Sequence, residues 1–211
     1  MLRMDPHIVP DSRARAAPSL QSEPLFAKMS LMAEIAHPFI ARARTYLTAS
    51  YLPRIEICFE RLTDEDVWWR PGPATSSIGN LVLHLMGNAR QWIVSGVGGA
   101  PDQRQREQEF DDRSMVPRDD LLAALRATLA EVDGVLARLD PSRLTERRRI
   151  QGLDVTVLEA IFHVVEHFSM HTGQIIMLTK MRTGADLKLY DFSGGAPVET
   201  WHRWSDKLPR I

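Results

Sequence analysis

One cysteine, Cys58, stands in 211 residues, so the chain closes no disulfide within itself and must hold its fold by burial. Charge of either sign is also without excess. Lys+Arg number 26 against 27 Asp+Glu, a formal net charge of -1, which creates no global field toward nucleic acid or an anionic membrane. Long apolar runs are missing as well. The charge-free stretch 71–89 holds Thr75, Ser76, Ser77, Asn80, His84 and Asn88 and is too polar for a bilayer span. No basic-then-apolar leader opens the chain, and neither repeats nor low-complexity tracts occur. With the unpaired cysteine, this leads to the expectation of a cytoplasmic protein without a membrane or nucleic-acid partner. What remains is 44% hydrophobic residues, enough for the core of one domain.

Residues 1–27 carry Pro6, Pro10, Pro18 and Pro24 with no apolar period, and are expected to be a flexible extension. From Glu34, Ile35, Phe39, Tyr46 and Leu47, then Leu52, Ile55, Phe59 and Leu62, recur at helical spacing, predicting a first helix kinked or broken near Pro53. After Pro71 and Pro73, Ser76 or Ser77 can cap a second helix ending near Gly96. Residues 97–116 have loop composition and unusual length. Pro117, Asp119 and Asp120 then open a third helix striped with Leu121, Leu125, Leu129, Val132, Leu136 and Leu139. A small hairpin around Gly152 is weighed against solvated surface for the basic run from Arg147. A fourth helix is predicted from about Thr156 to Arg182, closed at Gly184. The expected fold class is all-α: an up-down four-helix bundle over 28–184, a long loop between helices 2 and 3, and a tail, 185–211, packed on or near the bundle.

The most chemically loaded stretch lies in the fourth helix. His163, His167 and His171 fall four apart and share one helix face beside the apolar line of Val157, Ile161, Val164, Phe168 and Ile175. Gln174 extends that polar stripe. The second helix repeats the arrangement with Ser77, Asn80, His84, Asn88 and Gln91, polar yet uncharged, where a solvated face would carry Lys and Glu. Two such stripes facing each other bring His84 to His167 and His171, three neutral imidazoles around one cation. His84 alone is equally well a core-edge histidine bonded to a carbonyl; the His167/His171 pair is harder to explain that way. His163 lies too far along the axis to share the ion with both and is expected to line the pocket, with Asn80, Asn88, Gln91 and Gln174. Glu166 before His167 does not make the HExxH pattern of zinc peptidases. Arg104 and Arg106 are weighed as a clamp for an anionic substrate against plain solvated surface. Trp68-Trp69 and Trp201/Trp204 are read as packing or pocket rim.

The pattern His167-x-x-x-His171-x-Gly173-Gln174, the isolated His84 and the stretch LTDEDVWWRPGPATSSIGNLVLHL together resemble the DinB/YfiT-like superfamily of metal-binding four-helix bundles, over roughly residues 34–182. GNLVLHLMGNARQWI followed by GVGGAPDQRQREQEF resembles an uncharacterised branch of it. The resemblance implies a divalent metal, zinc or nickel, on His84, His167 and His171. It also implies thiol S-transfer from a low-molecular-weight thiol to a small electrophile, and a homodimer is the expected assembly. A metal-dependent hydrolase and a non-enzymatic metal-binding stress or interaction module stand as alternatives. The hydrolase needs a base near the ion, and no side chain stands out as one.

Overall fold

In the computed structural model, which describes residues 25–201, four helical rods pack as an up-down bundle. Most of the segment expected to be an extension thus lies outside the described residues, although Leu25 is already helical. The first rod joins α1 (Leu25–Thr45) to α2 (Leu52–Phe59). Between them the helical path is continuous, without a break. Tyr46–Tyr51 widens into π-helical turns, and the N–H of Leu52 donates to the carbonyl of Leu47, five residues back. Pro53 has no N–H to give the preceding turn and its ring crowds that turn, which a wider turn relieves.

Helix α3 (Asp64–Trp68) is a short turn started by a capping box between Thr63 and Asp66. The second rod begins at α4 (Ile78–Ala89), where the Ser77 hydroxyl accepts from the Asn80 N–H and the Asn80 side chain accepts from the Ser77 N–H. It runs on through a second π-helical stretch, Arg90–Val97, so it ends where the sequence placed its end. The expected loop between rods two and three is partly ordered: α5 (Arg106–Asp111) folds back on α4. The third rod is α6 (Arg118–Ala137), with Pro117 one position earlier than expected, at the cap itself.

A hairpin of β1 (Arg147–Ile150) and β2 (Leu153–Thr156) precedes the fourth rod. Its turn, Gln151-Gly152, takes positive φ at both residues, 52 and 81°, as a two-residue hairpin loop requires. The fourth rod, α7 (Val157–Thr183), starts at a Thr156/Glu159 capping box and stops at Gly184, whose φ of 65° lies in the left-handed region that glycine tolerates. Val157, Ile161, Val164, Phe168 and Ile175 are wholly buried and form its core line. Beyond it, β3 (Tyr190–Asp191) pairs with β4 (Val198–Glu199), and buried Trp201 lies under the Arg54 guanidinium, 3.9 Å from its ring centre. Trp204 is outside the described residues. No helix among the described residues is long and apolar enough to cross a membrane.

Candidate metal centre

Rods two and four meet through their polar stripes. The His84 ring lies 4.8 Å from that of His167 and 5.1 Å from that of His171, and the His167 and His171 rings are 4.4 Å apart, centre to centre. One ring nitrogen from each of the three lies within 4.8 Å of the others, within reach of a single ion. His84 and His171 are buried and His167 partly so. The Nε2 atoms of His167 and His171 are inaccessible to solvent and have no hydrogen-bond partner among the described residues. Leaving such atoms unmet costs on the order of 1–3 kcal/mol each, so the arrangement fits a cation that would accept their lone pairs.

The outer nitrogens are held so that the inner ones stay bare. Nδ1 of His171 lies 2.6 Å from Gln174 Oε1, an oxygen that only accepts, so the proton sits on Nδ1 and Nε2 keeps its lone pair. Nδ1 of His84 lies 2.8 Å from Glu109 Oε2. An Arg104 Nη2 is 3.2 Å from the same Nδ1, but a guanidinium cannot accept, and the carboxylate is the partner that fixes a proton there. This is the carboxylate–histidine relation that orients metal-ligating imidazoles and raises their basicity. Arg104 in turn grips Glu109 with two bonds, Nε to Oε1 at 2.7 Å and Nη2 to Oε2 at 2.8 Å. Burial pushes the Glu109 carboxyl up, but the bonds from Arg104 and His84 outweigh it and hold it below the ordinary carboxylate range. Burial and the neighbouring imidazoles push His167 down to about 3, so it is neutral, the form in which imidazole binds metal. His171 and His163 are lowered too, first by burial.

The sequence gives no sign of Glu109, which sits in a charged run with the composition of solvated loop. Its place depends on two tertiary features. The Asn80 amide donates to the carbonyl of Glu109 at 2.9 Å, pinning α5 to the start of α4. A Cβ at Gly87 would overlap the Glu109 carboxylate, so only glycine gives the Glu109–Arg104 pair its seat on α4. Phe110 completes the wall, 4.6 Å from the His84 ring.

The remaining residues nominated from sequence are all engaged. Asn80 caps α4 and anchors α5. Asn88 Nδ2 donates to His163 Nε2 at 3.0 Å, and the His163 ring stacks on Trp92 at 3.9 Å, which leaves His163 beside the triad and outside it. Gln91 accepts from Arg104 at 2.9 Å and donates to Asp102 at 2.8 Å. Of the two arginines weighed as an anionic-substrate clamp, Arg104 is buried and committed to Glu109 and Gln91, while Arg106 is exposed with its guanidinium 5.2 Å from the Phe110 ring. Trp68 is packing, its Nε1 bonded to the Val116 carbonyl at 2.9 Å and its ring against Gly79.

An open cleft of about 400 Å³ reaches His171. Leu81, Phe110, Met177 and Leu178 make it apolar, Thr75, Ser76 and Gln174 add uncharged polar groups, and no described residue lining it is charged.

The family model described as "Protein of unknown function (DUF1572)" matches residues 34–195. No curated protein matches the chain. Among solved structures, a DinB-like protein from Bacillus cereus ATCC 10987 superposes with a TM-score of 0.55 at 19% identity, covering 70% of this chain and 93% of that one. A conserved protein from Enterococcus faecalis gives 0.53 at 16%, covering 72% and 97%. These likenesses show a shared fold.

Proposed function

We propose, for a chain that belongs to the DUF1572 family and has a DinB-like fold, that His84, His167 and His171 hold a divalent transition ion and that the site joins a thiol to a small apolar electrophile. The observation that carries this reading is the pair of buried, unpartnered Nε2 atoms on His167 and His171, in a cluster where one ring nitrogen from each of the three imidazoles lies within 4.8 Å of the others. An ion there, zinc or nickel by its imidazole ligands, supplies charge that lets a thiol lose its proton below its ordinary value of about 8.5.

The chain's own residues supply the rest. Glu109 and Gln174 keep the protons of His84 and His171 on the outer nitrogens and fix both rings. The cleft beside His171 excludes charge and favours an apolar electrophile, whose carbon takes the sulfur while the leaving group departs with its electron pair and the thiol proton passes to solvent. Thiol transfer is favoured over hydrolysis because the cleft beside His171 is lined by apolar and uncharged groups, and no carboxylate in its lining is free to position a water. The nearest carboxylate, Glu109, has both oxygens taken by Arg104 and His84.

Elemental analysis of gently purified protein should find about one transition ion per chain, and zinc- or nickel-loaded protein should speed conjugation of bacillithiol, mycothiol or glutathione to a chlorinated dinitroarene. Metal binding without conjugation for any of the three removes the transferase and leaves the non-enzymatic metal module. Failure to bind zinc or nickel at all removes the whole reading.

A further inference from the structure

A second cleft, of about 390 Å³, opens where the loop after α3, the loop before α6 and the last turn of α7 come together. Trp68, Trp69 and Met115 give it apolar walls. Arg70, Arg113 and Arg182 also line it, and Glu65 is the one carboxylate among the described residues of the lining. The cleft at His171 has no charge in its lining; this one has an excess of positive charge.

The three guanidinium groups are placed by the fold yet only partly used. Arg70 gives its Nη groups to neutral oxygens, the Thr75 and Phe110 carbonyls and the Asn80 side chain, and pairs with no carboxylate among the described residues. Arg113 gives only Nη1, to the carbonyls of Phe110 and Asp112 at 2.9 Å each. Its Nε and Nη2 have no partner among the described residues, and together they form the planar fork that fits the two oxygens of a carboxylate. Arg182 gives only Nε, to Asp66 Oδ1 at 2.6 Å, with its guanidinium 5.6 Å from the Trp69 ring centre. Burial and then the charge of Arg113 push Arg70 below the ordinary guanidinium value, and Asp111 only partly offsets them. An acid group between Arg70 and Arg113 would turn that repulsion into attraction. The wall itself is strained: Met115 takes a φ of 52°, in the left-handed region that L side chains rarely adopt, a kind of strain that gathers at binding sites.

We propose that this cleft binds a small organic carboxylate, its acid group on the Arg113 fork beside Arg70 and its apolar body against Trp69 and Met115. An inorganic anion would leave the apolar walls unused. The carboxylate has two possible sources, a separate acid or the acid end of the thiol in the proposed transfer. The clefts are neighbours: Pro71 and Leu178 line the one at His171, and Arg70 and Arg182 stand beside the first and one turn beyond the second. Binding here needs no metal, so it stands or falls apart from the histidine site.

Calorimetry on the full chain, kept metal-free with a chelator, tests the cleft with phenylacetate, its uncharged counterpart phenylacetamide, and glutathione, which carries carboxylates. Phenylacetate should bind saturably and the amide about tenfold more weakly or worse, the share of a charge-assisted fork. Arg113→Gln, at an exposed position, should weaken the acid by a similar factor, while Arg126→Gln on α6 should leave binding unchanged. Glutathione that competes with phenylacetate assigns the cleft to the acid end of a thiol. Phenylacetate binding that glutathione does not disturb assigns it to a separate acid. Saturable binding of neither overturns the proposal. So does an amide that binds as well as the acid, a comparison that needs no variant, and so does an Arg113→Gln protein, helical by circular dichroism, that binds as tightly as wild type.

Discussion

His163 and His167 stand one turn apart on the same face of α7, and the structure treats them in opposite ways. His163 has its Nε2 met by Asn88 and its ring laid on Trp92. His167 has an Nε2 that is buried and meets nothing among the described residues. Their own helix does not cause the difference; rod two does. It sets an amide and an indole opposite the first histidine and a third imidazole opposite the second. A histidine stripe becomes a candidate metal centre only where the facing helix declines to satisfy it.

The largest expected effect comes from breaking the triad itself. His167→Ala or His171→Ala should weaken zinc binding by more than the roughly 100-fold that loss of an outer group can cause, while the far-ultraviolet spectrum stays helical. Loaded wild type should also gain stability, about 2.7 kcal/mol when free metal is 100-fold above Kd, or roughly 5–10 °C in Tm, and either variant should lose that gain. If His163→Ala proves the most damaging of the three, the division of the stripe is wrong.

Next in size is the outer layer of His84. Glu109→Gln keeps the shape and removes the charge, and metal affinity should fall about 10- to 100-fold by calorimetry. It also leaves the buried Arg104 guanidinium without its counter-ion, so unfolding should be easier by about 3 kcal/mol. Gly87→Ala should push the carboxylate off its seat and lower metal affinity in the same direction without replacing a charged residue. Unchanged affinity in both variants would make Glu109 a packing residue.

What could be read from sequence follows the range of the forces involved. The second helix's cap, placed at Ser76 or Ser77 and found at Ser77, the start of the fourth near Thr156, its stop at Gly184 and the apolar lines of α6 and α7 are local patterns, and the structure follows them. The meeting of His84 with His167 and His171 was inferable because two uncharged polar stripes have few ways to be buried other than against each other. Glu109 and Arg104 were not readable. Their burial rests on contacts between residues far apart in the chain, with Asn80 holding α5 and Gly87 making room, so a buried ion pair looked like solvated loop. The wide turns at Tyr46–Tyr51 and Arg90–Val97 were also invisible to a pattern of fixed period.

The smallest effect is the sharpest, because the comparison predicts opposite signs for the same substitution one turn apart in metal-free protein. His163→Leu removes the acceptor of the Asn88 amide and should destabilise by about 1 kcal/mol, the worth of a hydrogen bond with its partner left behind. His167→Leu removes a buried nitrogen that bonds to nothing and replaces it with carbon of similar bulk, so stability should hold or rise by about 1 kcal/mol. Chemical denaturation in the presence of a chelator measures both, and with equal slopes the midpoints should move apart on either side of wild type. A loss at His167 as large as that at His163 would mean that its imidazole is satisfied without metal, and the observation on which the metal reading rests would be gone.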